Sequence, residues 1–538
     1  MKRRIKISRF LALEASFNRV LKEERAGRKL VPDALSFCDY AFRKQDILQN
    51  ITIFLDSATY SPKNLLMIDV PNDNFWIRPG SVPLFEDWVI YDAFAYYIGP
   101  KIDSKLKSRV FSNRFSRQNT LMPGVEQWKK FETAFWRVLQ SSSNEAYVVI
   151  TDITSYYTNI NLDILHRHIL SLLGTYTRTD EAIIDKLFFN LLIPWSQNPV
   201  RSGFGIPQGV DASSILANLY LHHVDDQFSR MSGVEYFRYA DDIRMVAKDK
   251  ITAKIALGRL IKALRDIGLD INTSKTKVLD KDLAIQQLPD PLSNDMDKAN
   301  KLVRSKRASN VKLAIPILKK IFNYASSFKD DPLYQRHHSF IINRLILLRK
   351  YADGRFIGKV SKLFTTNLER LPGFSVDISR FFRYFHSKKI KTILISFLRG
   401  KDNIYGWQEM WILDCLIRFN TRSMIASDLD YFDDVSKDLR RHSLCRAKAI
   451  LLLGKFGDQH RRSELMSRFN TESDPIVKRA IIIACQQLNL AERDPLYQIA
   501  RADNSTSQTV SYVESLSRPK YCEEEEWAPF DIPDWGTY

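Results

Sequence analysis

The chain has 538 residues, of which 45% are hydrophobic and 12% aromatic, enough to bury more than one sizeable core. Its 80 basic and 62 acidic residues leave a net charge of +18 and a pI near 9.5, which favours a polyanionic partner, nucleic acid ahead of anionic membrane. The five cysteines (Cys38, Cys415, Cys445, Cys485, Cys522) are odd in number and none stand three apart, which excludes a disulfide framework and a zinc knuckle. Nor is a membrane span or signal peptide expected, because no apolar run is long enough and the stretch after the basic Met1–Lys6 is broken at Glu14. A cytoplasmic chain is the resulting expectation.

Residues 1–60 mix apolar and basic residues at helical spacing, as in Phe17, Val20 and Leu21 with Arg19, Lys22 and Arg25. They are expected to form a basic helical extension. Residues 61–145 are mixed. Asn74–Gly80 is expected to be a strand ending in a turn, Asp87–Ile98 and Val125–Leu139 helices, and the arginine-bearing run Ser108–Phe115 a strand.

Ala146–Asp152 is the cleanest buried strand, continuous and β-branched, with Asp152 at its carboxyl end. A helix is expected over Asn161–Leu173, then a Gly/Pro loop, Gly203-Phe204-Gly205-Ile206-Pro207-Gln208-Gly209, then a helix from near Ala212 through Leu221 to about Phe228. Residues 234–247 place Asp241 and Asp242 between two short runs rich in β-branched and aromatic residues, the pattern of a tight hairpin. A helix over Thr252–Ile267 leads to Gly268–Val278, a turn into a strand. The order strand, helix, helix, hairpin, helix, strand predicts a split βαβ sheet over 146–280.

Composition shifts near 281, and residues 281–310 are expected to be a connector or the start of a thumb. From 311 to 518 helical periodicity dominates. Arg446–Leu453 and Lys478–Ala484 align at a spacing of 33, and the pentapeptide Asp331–Gln335 recurs as Asp494–Gln498. Asp-Pro at 331, 474 and 494 reads as a helix start. Together these predict an all-α domain of HEAT-like repeats, an extended surface for binding or self-association, with an ordinary helical bundle as the alternative. Residues 519–538 form an acidic tail with interleaved aromatics, either solvated or docked on a basic surface.

Adjacent aspartates repel one another and are tolerated in a buried turn where a cation replaces their lost solvation. A pair of divalent cations about 4 Å apart can activate a 3′-hydroxyl and hold a triphosphate. Such a site needs carboxylates from separate segments converging at strand ends. Asp152, Asp241 and Asp242 meet that demand if their strands are neighbours.

Four pieces in order over residues 75–280 resemble the palm of reverse transcriptases. They are Thr151–Tyr157, Gly205–Gly209 with Leu216–Leu221, Phe237–Asp242, and Gly268-Leu269 with Lys275-Thr276. The resemblance implies an α+β right-hand polymerase with fingers and palm, followed by the helical repeat domain. Asp152, Asp241 and Asp242 would be ligands of two Mg²⁺ ions, with Mn²⁺ as the alternative, and the Ile153 carbonyl an added ligand. Tyr157 would be the gate beneath the sugar that selects deoxynucleotides. Gln208 and the Gly209 backbone would line the nucleotide pocket. Lys275, with Lys277 as competitor, would protonate the leaving pyrophosphate. Arg78 and Arg114 would clamp the triphosphate, with Arg109 and Arg117 competing. Partners would be an RNA template, deoxynucleoside triphosphates and the DNA product.

A palm followed by helical repeats, with no nuclease-like or Cys/His-rich domain, resembles the bacterial abortive-infection and defence-associated reverse transcriptases. Members of that group use a non-coding RNA template or none, and some prime on a protein hydroxyl, for which Tyr538 is the candidate here. The other readings are a non-catalytic phage sensor on a polymerase scaffold and a retron- or intron-type reverse transcriptase.

Overall fold

A computed structural model describes residues 5–25, 30–57, 60–72, 76–196, 202–305, 307–327, 334–419 and 424–522. They divide into two compact units. The first takes residues up to Val20, Leu48–Leu66 and Ser81–Pro289, and the second Leu21–Ile47, Met67–Gly80 and the chain from Asp290. A two-stranded sheet, β1 (Leu66–Pro71) with β2 (Ile77–Val82), accompanies the chain's return from the second unit to the first.

The first unit is built on a four-stranded antiparallel sheet. Its strands are β3 (Tyr147–Asp152), β4 (Val234–Tyr239), β5 (Asp242–Ala247) and β6 (Lys277–Asp280), in the order β4-β5-β3-β6. The central strand, β3, is the β-branched run, whose side chains fit a pleated surface buried on both faces. Alternation puts Val148 and Ile150 on one face, where Phe237 and Val246 join Phe131, Phe135 and Leu139 of the helix Gly124–Ser141. Val149 and Met245, paired in register, point to the other face and are fully buried. Asn161 caps the helix Leu162–Leu173 by accepting from the Ile164 N–H at 3.0 Å, and Asp249 caps Lys250–Arg265 through Thr252 at 2.7 Å. The architecture is α+β, a four-stranded antiparallel sheet with packed helices in a chain that continues into helices.

Several expectations are corrected. Ser108–Phe115 is not a strand: it forms turns, with isolated bridges at Val110 to Arg238 and Phe115 to Leu121. Pro79-Gly80 does not end a strand but lies inside β2, while Asn74 and Phe75 fall outside the described residues. The helix expected from Ala212 to Phe228 is broken at Leu221 into Asp211–Tyr220 and His222–Ser229. Residues 281–310, expected as a connector or the start of a thumb, carry the helices Lys281–Gln287 and Ser293–Arg304 and the start of Ala308–Ser327.

In the second unit every element after Asp290 is helical among the described residues. The basic extension of residues 1–60 is not one piece, because residues 21–47 fold into this unit. There Trp407 Nε1 donates to the Leu30 carbonyl at 2.8 Å, Lys448 Nζ to that of Pro32 at 3.0 Å, and Arg479 pairs with Asp33 and Asp39. The segments aligned at a spacing of 33 fall on Ser443–Phe456 and Pro475–Ala484, which pack on one another. Asp474 caps the second of these, with Pro475 at its first position. Asp494-Pro495 is not a start: Asn489 caps Leu490–Ala502 and Pro495 lies inside it. The earlier copy, Asp331–Gln335, and the tail Glu523–Tyr538 hold no described side chains.

Gly454 lies where those two packed helices cross. A Cβ there would stand 2.5 Å from Ala484 Cβ and 2.9 Å from its carbonyl oxygen. Backbone cannot yield as a flexible side chain can. Gly454→Ala is therefore expected to cost about 1–3 kcal/mol through overpacking, which outweighs the roughly 1 kcal/mol gained by a better helix former. Thermal unfolding of the full chain checks this as a lowered midpoint.

Candidate active site

The register of the sheet assembles the carboxylates. Asp152 ends β3 and pairs directly with Asp242, the first residue of β5. Tyr239 of β4 also pairs with Asp242, so Ala240 and Asp241 are the two residues of the hairpin turn. Ala240 takes φ +53°, the left-handed conformation that a turn matching the twist of its strands requires. By alternation Asp242 and Arg244 share the face of the helix Gly124–Ser141, and Arg244 Nη2 reaches Glu132 Oε1 at 2.8 Å.

Electrostatics follow from this crowding. Burial, then the neighbouring charges of Asp152 and Asp242, push the Asp241 carboxyl up to about 7. Burial and Asp152 push Asp242 up to about 6 against the opposing pull of Arg244 and Lys275. Lys275 Nζ stands 2.6 Å from Asp152 Oδ2 as the cation nearest that carboxylate's oxygen, with its side chain 58% exposed. Its competitor, Lys277, is exposed on β6 opposite Ile150. Among the described residues no group of three or more His, Cys, Asp or Glu side chains has metal-holding geometry. By donor chemistry the site still fits hard divalent cations: its carboxylates are oxygen donors, and its buried anions lack a full complement of positive charge.

The pocket loop is laced to the segment after Asp152. Leu162 N–H bonds the Gly203 carbonyl at 2.9 Å, Gly205 N–H that of Ile160 at 2.9 Å, and Ile206 N–H that of Tyr157 at 3.1 Å. Gly205 (φ +91°) and Gly209 (φ +95°) sit in left-handed conformations that glycine adopts without steric cost. Gln208 N–H donates to Ser81 Oγ at 3.0 Å, which docks the loop on the end of β2. Tyr157 is half-buried with its hydroxyl 3.2 Å from Ser214 Oγ, whereas its neighbour Tyr156 is buried and donates to the Ala217 carbonyl. Ile153 is buried and bridges Ile271.

The arginine assignments fare differently. Arg114 is spent on its own loop. Its Nε donates to Asp103 Oδ1 at 2.9 Å, its Nη1 to the carbonyls of Lys107 and Val110 at 3.0 and 2.8 Å, and its Nη2 to the Asp103 carbonyl at 3.0 Å. It anchors the turn rather than presenting a free guanidinium. Arg109 pairs with Glu235 and lies over the Phe237 ring. Arg117 is exposed on its loop, and Arg78 is exposed on β2 in the second unit. Tyr538 lies outside the described residues.

One group was passed over in the sequence. Arg238, within the hairpin motif, is fully buried on the opposite face from Phe237 and forks onto Asp225 at 2.6 and 2.7 Å. Burial alone would lower its pKa, but the Asp225 charge holds it above the ordinary range. The signal was present: a charge at an inward strand position between aromatics demands a buried partner.

A hairpin that carries paired carboxylates beside a third on the adjacent strand, with a glycine-rich loop and a lysine turn, is the arrangement expected of a polymerase palm. Residues 98–299 match the family model described as reverse transcriptase (RNA-dependent DNA polymerase). That stretch contains Asp152, Asp241 and Asp242. Among solved structures the chain is similar to an apo telomerase from Candida tropicalis truncated from its C-terminal domain, at 15% identity and a TM-score of 0.31, covering 41% of this chain and 51% of that one. A telomerase from Candida albicans with a fragment of telomeric RNA gives 11% identity, a TM-score of 0.33 and coverage of 70% and 66%. The RNA-dependent RNA polymerase of a human picorbirnavirus gives 14%, 0.29, and 58% and 61%. The chain thus spans about half the length of the first of these, at 51%. None of the curated proteins matches it. No helix among the described residues is long and apolar enough to cross a membrane.

Proposed function

We propose that this chain synthesises DNA on an RNA template and acts in bacterial antiphage defence. The observation that carries the polymerase reading is the direct pairing of Asp152 with Asp242, with Asp241 in the intervening turn, inside the stretch that matches the reverse-transcriptase model. Asp152, Asp241 and Asp242 would hold two Mg²⁺ ions, joined by the Ile153 carbonyl. When bound, the ions activate the 3′-hydroxyl of the primer and neutralise charge on the triphosphate.

The chain's own residues would do the rest. Gln208 and Gly209 line the nucleotide site, and Tyr157 lies under the sugar. Lys275 leaves Asp152 Oδ2, 2.6 Å away, and gives its proton to the departing pyrophosphate. Tyr157→Ala is expected to relax discrimination against ribonucleotides by about 10–200-fold, the scale of one removed steric contact. The ratio of kcat/KM for deoxy- and ribonucleotides measures it.

Support for the defence role is architectural: the palm is followed by a long helical region, read as HEAT-like repeats suited to self-association, as in the abortive-infection group. The bacterial cytoplasm is the corresponding setting. The template on this reading is a non-coding RNA, and the alternative is untemplated or protein-primed synthesis. Phage challenge of cells carrying the wild-type chain or Asp241→Asn with Asp242→Asn tests the role. Protection should vanish with the double substitution, and protection that survives it would favour a non-catalytic sensor.

A further inference from the structure

Ala240 holds the turn that carries Asp241, and its φ of +53° is one an alanine adopts only under constraint. Both of its backbone groups are gripped from behind the sheet. The Ala240 N–H donates to Ser112 Oγ at 2.7 Å, and Arg238 Nη1 donates to the Ala240 carbonyl at 3.0 Å. Each grip is itself held. The Ser112 hydroxyl stands 3.4 Å from Asn218 Oδ1, and Asn218 Nδ2 donates to the Ser112 carbonyl at 2.9 Å. Arg238 Nη2 reaches the Asn218 carbonyl at 3.2 Å, while Asp225 takes both Nε and Nη2 and also accepts from the Tyr236 hydroxyl at 3.0 Å. The Ser112 segment is tied to β4 by backbone bonds from Arg238 N–H to the Arg109 carbonyl at 3.0 Å and from Phe111 N–H to the Arg238 carbonyl at 2.9 Å.

Ser112, Asn218, Asp225 and Arg238 are each at most 2% exposed. None of the four lies on the sheet face that Asp152 and Asp242 share, nor is any of them a ligand candidate. Ser112 and Arg238, from two separate segments, therefore hold the two peptide groups that flank the Cα of Ala240, the residue before Asp241, with Asn218 and Asp225 bracing them. A buried network this well satisfied fixes a single geometry, because every alternative leaves a polar group unpaired.

We infer, on the polymerase reading above, that Ser112 and Arg238 are positioning residues for catalysis, clamping Ala240 in its left-handed conformation so that Asp241 meets its partners across the turn. Neither touches substrate. Their effect runs through the backbone of Ala240.

The test is a cycle between Ser112→Ala and Ala240→Gly in the full chain, read as kcat, nucleotide KM and thermal midpoint. Glycine enters the left-handed region freely, so it removes the need for the clamp. Ser112→Ala alone is expected to lower kcat per folded molecule by about 10–100-fold, the scale of a reacting group displaced by about an ångström, with KM within about twofold. In the Ala240→Gly background the same change should cost less than about threefold, because the strain the clamp opposes is gone. An equal loss in both backgrounds, no loss, or a loss that only follows the unfolded fraction would overturn the inference. If Ser112→Ala does not fold, Arg238→Lys, which keeps a charge opposite Asp225 but cannot fork to the Ala240 carbonyl, is read in the same way. A wild-type chain that makes no DNA would refute the polymerase reading instead, a result separable from all of these.

Discussion

Asp241→Asn is expected to lower DNA synthesis by about 10³-fold or more, at least the cost of removing one group that stabilises transition-state charge. The thermal midpoint should not fall. Asp241 is buried beside Asp152 and Asp242, and its carboxyl is pushed up to about 7 by burial and by those two charges. An amide of the same shape removes the repulsion without opening a cavity. Activity and stability should thus move in opposite or independent directions, as expected of a residue kept for chemistry rather than for folding. Steady-state incorporation and thermal unfolding on the same preparation check both halves. A parallel loss of activity and midpoint would count against it.

The second large effect is on stability. Arg238→Ala leaves Asp225 fully buried without its partner, which is expected to cost about 3–5 kcal/mol. Replacing both, Arg238→Met with Asp225→Leu, should recover part of that loss by removing the unpaired charge, the rest staying lost because the Tyr236 hydroxyl and the Asn218 carbonyl lose their partners. Synthesis should stay impaired in the recovered variant, because the contact to the Ala240 carbonyl is still missing. Denaturant unfolding midpoints and kcat separate the two outcomes.

The palm was legible in the sequence because its strands are short, β-branched and bounded by turns. β3, β4 and β5 stand within a residue of their expected places, and the carboxylates lie where a hairpin and a strand end put them. Periodicity hidden under polar composition was not legible. Ser293–Arg304 carries only Met296, Ala299 and Val303 on its buried side, a spacing of three and four masked by lysines and aspartates, so its helical period does not stand out in the sequence. Local signals also competed. Asp494-Pro495 has the form of a helix start, yet Asn489 lies one turn earlier and its side chain already caps the helix.

Long-range pairing accounts for the rest. That Arg114 would be absorbed by Asp103, or that Ser112 would hold the turn after Arg238, depends on which loop folds back on which strand. No spacing rule carries that information. The division of residues 5–60 between two units has the same origin, with Asp33 and Asp39 meeting Arg479 more than 400 positions away.

The most direct measurement is extension of a labelled primer on a defined RNA template by the purified full chain, supplied with Mg²⁺ and deoxynucleotides. The account predicts template-length DNA that disappears with Asp241→Asn and is not made from ribonucleotides at comparable rates. Folded wild-type protein that incorporates no deoxynucleotide, on primed RNA or without template or primer, would contradict it.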